Sequence, residues 1–249
     1  MMDCCKFLSM GVLVLLLGCG LSLDQKNQAR SHYTLGLSHM QSGSPTMALK
    51  ELLQAVEINS YDPEIQALLA QAYQAKKAYP QAEKHYLRAI ALSDEDPRYQ
   101  NNLAALYIDM ERWDQAIDYF GRASSNLLFM RTEVALTGTG YAQFRKGDYP
   151  AALNSYQEAR AIAPGYAPIN LRLGEVYYAL GQDTIARNEF EKAIAQQPRY
   201  AEAHYRLGLV LLRLQQIPLA SQQFQQVLEL SPDSEWGLKS ASALQSLYR

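Results

Sequence analysis

Apolar residues recur along this chain of 249 residues in pairs of short stripes, each with the spacing of one face of an α-helix. Residues 167–200 show the pattern clearly. A first stripe around Leu173 is interrupted by Gly181, and a second stripe begins at Ala186 and is stopped by Pro198. Spacings of three and four residues are typical of amphipathic helices, and glycine and proline mark their ends. The segment therefore predicts two helices joined by a short turn.

The alanine that begins the second stripe occurs six times, with steps of 34, 34, 36, 34 and 34 residues. A small residue is expected there because two helices cross closely, and a longer side chain would force them apart. The alanines are Ala48, Ala82, Ala116, Ala152, Ala186 and Ala220. A large residue follows each alanine by four positions: Leu52, Tyr86, Phe120, Tyr156, Phe190 and Phe224. A small residue precedes each alanine by twelve positions: Gly36, Ala70, Ala104, Gly140, Gly174 and Gly208.

This pattern resembles the tetratricopeptide repeat, whose period is 34 residues. The resemblance implies an all-α, right-handed superhelical solenoid of six helix-turn-helix repeats, each packed on its neighbours. The predicted repeats are residues 29–62, 63–96, 97–130, 133–166, 167–200 and 201–234. Residues 235–249 are predicted to form a capping helix, in which Trp236, Leu238, Leu244 and Leu247 cover the open end of the last repeat.

The N-terminal segment differs from the repeats, because residues 7–17 are almost entirely apolar and Gly18 and Cys19 follow. Eleven residues are too few to span a bilayer as a helix but fit a secretory signal peptide. The sequence Leu-Leu-Gly-Cys at residues 16–19 resembles a bacterial lipobox. The resemblance implies that residues 1–18 are a lipoprotein signal peptide, that Cys19 is acylated, and that residues 19–28 are a lipid-anchored linker. An ordinary signal peptide that contains a cysteine is the alternative.

The other two cysteines, Cys4 and Cys5, also lie in this segment, so no disulfide is expected in the processed chain. Gly20, and not an aspartate, follows Cys19. By analogy with bacterial lipoprotein sorting, this favours the outer membrane, with the chain on the periplasmic face.

Composition and motifs argue against several classes of function. The net charge is −2 and the sequence pI is about 6.1, which does not suggest a nucleic-acid-binding protein. His32 and His204 share one repeat position, which favours packing over metal binding. No catalytic constellation is recognisable, and the repeats leave no room for an enzyme domain. We therefore predict no enzymatic activity, no metal site, no cofactor and no small-molecule substrate.

The repeat resemblance implies that four positions of each first helix face an inner groove that binds protein. A groove rich in tyrosine and leucine suits an amphipathic or extended peptide. The predicted groove residues are Tyr33, Leu37, Met40, Tyr141, Phe144, Arg145, Leu171, Tyr178, Tyr205, Leu209, Leu212 and Arg213. Repeats two and three carry smaller and more polar residues there: Ala67, Gln71, Gln74, Asn101, Ala105 and Ile108.

The boundary between repeats three and four has two extra residues, and four apolar residues follow one another there: Leu127, Leu128, Phe129 and Met130. Two interpretations are open. The four residues pack into the core as an extended helix start, or they form an exposed contact patch.

A lipobox followed closely by six repeats resembles the type IV pilus biogenesis lipoproteins called pilotins. Asn101, Asn102 and Leu103 match the paired asparagines that open the third repeat in that family. Residues 128–134 fall where the family also carries a longer junction. The resemblance implies a non-enzymatic, outer-membrane-anchored protein that helps a subunit of the pilus secretin to reach and assemble in the outer membrane.

Two alternatives come from other functional classes. The first is an envelope scaffold lipoprotein that recruits peptidoglycan hydrolases or other envelope enzymes. The second is a carbohydrate-modifying enzyme whose repeats select the substrate, and the missing catalytic domain argues against it. Gene neighbourhood would distinguish these functions at little cost.

Overall fold

A computed structural model describes residues 21–247 of the chain. This part contains thirteen α-helices and no β-strand. The helices are α1 (Leu23–Gln41), α2 (Pro45–Ile58), α3 (Pro63–Ala75), α4 (Tyr79–Leu92), α5 (Pro97–Asp109), α6 (Trp113–Ser125), α7 (Thr132–Arg145), α8 (Tyr149–Ile162), α9 (Ala167–Ala179), α10 (Asp183–Gln196), α11 (Ala201–Arg213), α12 (Ile217–Leu230) and α13 (Glu235–Leu247).

The predicted linker over residues 19–28 is wrong beyond Ser22, because α1 begins at Leu23. Ser22 and Gln25 form a capping box. The Gln25 backbone N–H donates to Ser22 Oγ at 3.2 Å, and the Ser22 backbone N–H donates to Gln25 Oε1 at 2.9 Å. These bonds satisfy donors that the first turn of a helix otherwise leaves free. Since α1 has 19 residues and α3 has 13, α1 is longer by about 9 Å at 1.5 Å per residue.

The turn inside each repeat uses a residue in the left-handed conformation. Gly43, Gly147 and Gly181 have φ values of 72°, 84° and 72°. The remaining repeats place a residue with a side chain there: Lys77 at 58°, Glu111 at 56° and Gln215 at 59°. Glycine adopts this conformation without steric cost, whereas other L-residues are strained by roughly 1–2 kcal/mol.

Within a repeat, the large residue of the second helix packs against the small residue of the first. The six repeat alanines are fully buried, as the close crossing requires. A Cβ atom added to Gly174 would lie 2.5 Å from Phe190 Cε1, and one added to Gly208 would lie 2.5 Å from Phe224 Cε1. Gly140 meets Tyr156 in the same way. These glycines are therefore required by packing and not by backbone conformation.

Repeat three makes an additional contact with the next repeat. The ring of Phe120 on α6 is approached by Gly138 on α7, which belongs to the next repeat. A Cβ at position 138 would overlap the Phe120 ring. This close approach joins repeats three and four across the irregular boundary.

Most of the first helices approach the first helix of the next repeat, and this sets the curvature. Contacts join α1 with α3, α5 with α7, α7 with α9, and α9 with α11. Within residues 21–247, the second helices of successive repeats make no comparable contact. The first helices therefore line the inner face, and the predicted all-α solenoid is confirmed.

The helix α13 packs on α12 and α11 at the open end of repeat six. Trp236 lies 5.5 Å from Tyr205 between ring centroids, and Leu244 and Leu247 contact the same core. The prediction for Leu238 is wrong, because 67% of its surface is exposed. The buried residues of α13 are the small residues Gly237 and Ser240. The face of α13 that packs on the repeats is therefore the one that carries these residues, and Leu238 points away from it. In the part of the chain described here, no helix has the length and apolar character needed to cross a bilayer.

Candidate protein-binding groove

Three cavities follow one another along the inner face, and the first lies between repeats one and three. Its volume is about 240 Å³. Tyr33 and Leu37 from α1 face Ala67 and Gln71 from α3, and Arg98 from α5 closes the far side. This part of the groove combines an aromatic wall with small and amide side chains.

The central cavity has a volume of about 350 Å³ and lies between α5, α7 and α9. Asn101 and Ile108 line one side, and Tyr141 and Arg172 line the other. The Arg172 guanidinium lies 5.2 Å from the centroid of the Tyr141 ring, a cation–π distance. The Oδ1 atom of Asn101 is buried and finds no hydrogen-bond partner among residues 21–247.

The third cavity, of about 130 Å³, lies between repeats four and six. Phe144, Tyr178 and Leu209 supply its apolar surface. Glu175 and Arg206 reach it from α9 and α11, and these two side chains form an ion pair at 2.7 Å.

That ion pair belongs to a ladder of four charged side chains across α9 and α11. Arg172 lies 2.6 Å from Glu175 and 3.4 Å from Glu202, and Arg206 lies 3.6 Å from Glu202. Burial alone would lower the pKa of Arg172, but the carboxylates of Glu175 and Glu202 outweigh burial and raise it. Because the charges satisfy one another, this half of the groove offers a ligand mainly aromatic and aliphatic surface.

Sequence reasoning missed the charged ladder, although a signal was present. Arg172 and Arg206 are 34 residues apart and therefore share one repeat position. Glu175 lies three residues after Arg172, a spacing that places both side chains on one helix face. An alignment of the repeats for charge, in addition to apolar character, would have found it.

The structure places eleven of the twelve predicted groove residues in three kinds of position. Those that line a cavity are Tyr33, Leu37, Tyr141, Phe144, Tyr178 and Leu209. Those that pack partly into helix contacts are Met40, Tyr205 and Leu212. The exposed arginines stack on aromatic rings, with Arg145 4.7 Å from the centroid of Trp113 and Arg213 4.1 Å from that of Tyr178.

The prediction of Leu171 as a groove residue is wrong. Its side chain is fully buried in the core formed with Ala186, Ala203 and Leu207. The adjacent residue, Arg172, takes the place on the groove surface. The α9 segment is apolar on more than one face, so its periodicity does not reveal which leucine points inward.

Sequence and structure comparisons agree with this geometry. Models described as tetratricopeptide repeat match residues 33–99, 95–165, 143–189 and 201–234, and one described as TPR repeat matches residues 174–215. The chain is built of tetratricopeptide repeats. A comparison with curated protein sequences gives no match.

Solved structures of other tetratricopeptide-repeat (TPR) proteins share the fold. PilW, described as a widely conserved type IV pilus biogenesis factor, is 17% identical with a TM-score of 0.76, and the match covers 89% of this chain and 98% of PilW. PilF of Pseudomonas aeruginosa is 17% identical with a TM-score of 0.70, and the match covers 88% of this chain and 99% of PilF. YrrB, described as a TPR protein with an unusual peptide-binding site, is 18% identical with a TM-score of 0.51 over 77% of this chain and 97% of YrrB.

Three of the four histidines form hydrogen bonds to a side chain of a neighbouring helix. His32 bonds Glu51 at 2.8 Å, and His204 bonds Gln223 at 2.7 Å. His85 bonds Gln66 at 2.7 Å and stacks on Tyr73. No group of residues suited to a metal ion occurs in residues 21–247.

The junction between TPR units three and four, residues 126–131, is longer than the others, and we call it the long junction. Neither interpretation of its four apolar residues holds for all of them. Phe129 is buried, with 8% of its surface exposed, whereas the exposed fractions of Leu127, Leu128 and Met130 are 100%, 87% and 95%. The long junction is not a helix start, because α7 begins only at Thr132.

Proposed function

We propose that this TPR chain is a non-enzymatic protein, lipid-anchored at Cys19 on the periplasmic face of the outer membrane. It binds a subunit of the type IV pilus secretin and assists the localisation and assembly of the secretin there. The observation that carries the proposal is the likeness in fold over almost the whole length of PilW and PilF. The inner groove supplies the binding surface that such a role needs.

The groove favours a ligand in extended conformation, with apolar side chains at intervals. Asn101 lines the central cavity, and Tyr141 and Ile108 offer apolar surface on either side. Farther along, Phe144 and Tyr178 continue this surface. Aromatic side chains at the centre of an interface commonly account for much of its binding energy.

The groove is tested by Asn101→Ala combined with Tyr141→Ala. We expect binding to a secretin subunit to weaken more than tenfold, because loss of a central aromatic contact alone commonly costs about 2 kcal/mol or more. The control pair is Ile185→Ala with Asn188→Ala, on the exposed surface of α10. Binding is measured by titration, and the helical content and urea midpoint of each variant are measured beside it.

In cells, the groove variant is expected to remain anchored but to lose heat-stable secretin multimers. Normal multimers at a normal level of the variant would contradict the proposal. Cell-wall enzymes that copurify with the chain, together with normal multimers in a deletion strain, would instead support the envelope-scaffold alternative.

The anchor lies outside residues 21–247 and has a separate test. Cys19→Ala is expected to abolish palmitate labelling and to release the chain from the membrane fraction. Unchanged labelling would contradict the lipidation of Cys19, whatever the result for the groove.

A further inference from the structure

The most exposed large apolar side chains are not scattered over the solenoid. Leu23 is 75% exposed, Tyr61 71%, Leu127 100%, Leu128 87% and Met130 95%. Every other large apolar residue in the described part is exposed by 67% or less. Each of the five lies at the beginning of a first helix or in the turn that leads into one: Leu23 begins α1, Tyr61 precedes α3, and the other three precede α7.

The topology of the repeats places these positions on one edge of the molecule. Short turns make consecutive helices antiparallel, so the first helices of all repeats run in the same direction. Arg30, about two turns into the longer helix α1, pairs with Glu64 in the first turn of α3 at 2.8 Å, so α1 begins on the same side as α3 and extends beyond it. We call the edge formed by the beginnings of α1, α3, α5, α7, α9 and α11 the N-terminal edge.

The exposure of Leu127 and Leu128 is not required by the turn. In the long junction the Phe129 N–H donates to the Asn126 carbonyl at 3.0 Å, and the ordinary junctions make the same bond from Tyr166 to Ala163 and from Tyr200 to Gln197. The second and third residues of those ordinary turns are Pro-Gly at 164–165 and Pro-Arg at 198–199. The same turn is therefore built with polar or small residues where the long junction has two leucines.

The long junction also holds its leucines outward. The Phe129 side chain is buried in the core, and we call it the plug of the long junction. The Phe129 carbonyl accepts a hydrogen bond from Thr132 Oγ1 at 2.9 Å. The Asn126 side chain accepts from the Leu128 N–H at 2.9 Å. Arg131 follows Met130 in the sequence. An arginine beside apolar side chains is suited to the interface between lipid and water, because its aliphatic stem can lie in the apolar region while its charge stays in the polar region.

We infer that the N-terminal edge faces a lipid bilayer and that Leu127, Leu128 and Met130 insert into its interfacial region. This inference rests on the proposed anchor, because Cys19 is three residues before Ser22, the cap of α1 on this same edge. Three extended residues reach about 10 Å. A lipid at Cys19 thus holds this edge, and no other, against the membrane. The groove then runs along the bilayer surface and keeps its ligand close to the membrane.

The test uses the full chain with Leu128→Cys, labelled with an environment-sensitive fluorophore. The matched control is Leu180→Cys, because Leu180 is exposed at the end of α9, on the opposite edge. The chain with its native cysteines alone gives the background. Vesicles of phosphatidylethanolamine and phosphatidylglycerol are added, with and without a quencher carried in the lipid chains. We expect a blue shift and quenching for the label at position 128 and neither for the label at position 180.

A second variant, Leu127→Ser with Leu128→Ser and Met130→Ser, keeps Phe129 and should fold normally. In a Cys19→Ala background it should bind the vesicles at least tenfold more weakly than the Cys19→Ala chain, because burial of one leucine side chain changes a partition coefficient roughly tenfold or more.

No vesicle-dependent change at position 128, or an equal change at both positions, would overturn the inference. So would a change at position 128 that appears only with a secretin subunit, or only on self-association of the chain. Palmitate labelling is measured separately. Insertion of position 128 without palmitate labelling would support the membrane-facing edge and contradict the lipid anchor. Palmitate labelling without insertion would support the anchor and contradict the membrane-facing edge.

Discussion

The long junction and the short junction between TPR units four and five, residues 163–166, form the same hydrogen-bonded turn but expose different side chains to solvent. Both begin at the C-cap of a second helix and close with a bond from the fourth residue to the first. Both use an aromatic at the fourth position, Phe129 or Tyr166. In the short junction Tyr166 is itself the N-cap of α9, whereas two further residues separate Phe129 from α7. The aromatic therefore serves the fold, and the flanking apolar residues of the long junction are free for another purpose.

The largest effect is expected from Phe129→Ala, which removes the plug of the long junction. The free energy of unfolding should fall by about 3 kcal/mol, at the lower end for buried Phe-to-Ala changes, because the ring lies at the edge of the core. Urea unfolding measures it. Leu128→Ala is the control and should change the free energy of unfolding by less than about 0.5 kcal/mol. Similar losses for both variants would remove the distinction between plug and exposed residues.

A smaller effect is expected from Gly138→Ala, which tests the contact across the long junction. The new Cβ overlaps the Phe120 ring, so overpacking should lower the free energy of unfolding by about 1–3 kcal/mol. Gly121→Ala on α6 is the matched control, since no atom lies within 4 Å of its added Cβ. That change should stabilise the chain by about 0.5–1 kcal/mol. A neutral result for Gly138→Ala would mean that the two repeats are not joined at this point.

The smallest effect concerns pH and asks whether the solenoid unfolds as one unit across the long junction. Burial, and to a lesser extent the charge of Lys84, lower the pKa of His85 on α4. The unfolded chain therefore binds this proton more readily than the folded chain. The contribution of neutral His85 to stability is complete above the unfolded pKa of about 6.5 and decreases as the pH falls towards the folded value.

Urea midpoints at about pH 7.5 and about pH 5 should therefore differ more for the wild type than for His85→Gln. Hydrogen exchange then locates the effect. If the long junction keeps repeats three and four together, amides of α9 should respond to the pH change as amides of α4 do. A response confined to the first three repeats would show that the long junction divides the solenoid into two cooperative units.

The repeating helices could be predicted from the sequence because packing at a helix crossing tolerates few residue types. Ala186 must be small, and the Phe190 ring four positions later needs Gly174 opposite it. These requirements recur in every repeat and appear as a period. The left-handed turn at Gly181 is predictable for a similar reason, since glycine adopts it without strain.

The errors occur where a side chain depends on the rotation of a helix about its axis. Leu171 and Arg172 are adjacent on α9 and their side chains point about 100° apart, so the orientation of α9 about its axis decides which of them reaches the groove. Leu238 on α13 is exposed for the same reason, because buried Ser240 faces the core in its place. The charged ladder joins side chains of α9 and α11, the first helices of two successive repeats. Apolar periodicity contains no information about such ion pairs.

The contact between Phe120 and Gly138 has a consequence for how such a chain can change by duplication. In repeats four, five and six, the aromatic and the glycine that receives it lie within a single repeat, so each repeat can be copied or lost as a complete unit. The ring of repeat three, beside Ala104 of its own repeat in the core, also lies against a glycine of repeat four. A duplication or deletion boundary between them would separate the two residues and remove this contact between the repeats. Repeats three and four are therefore expected to be inherited as a pair, together with the junction that they enclose.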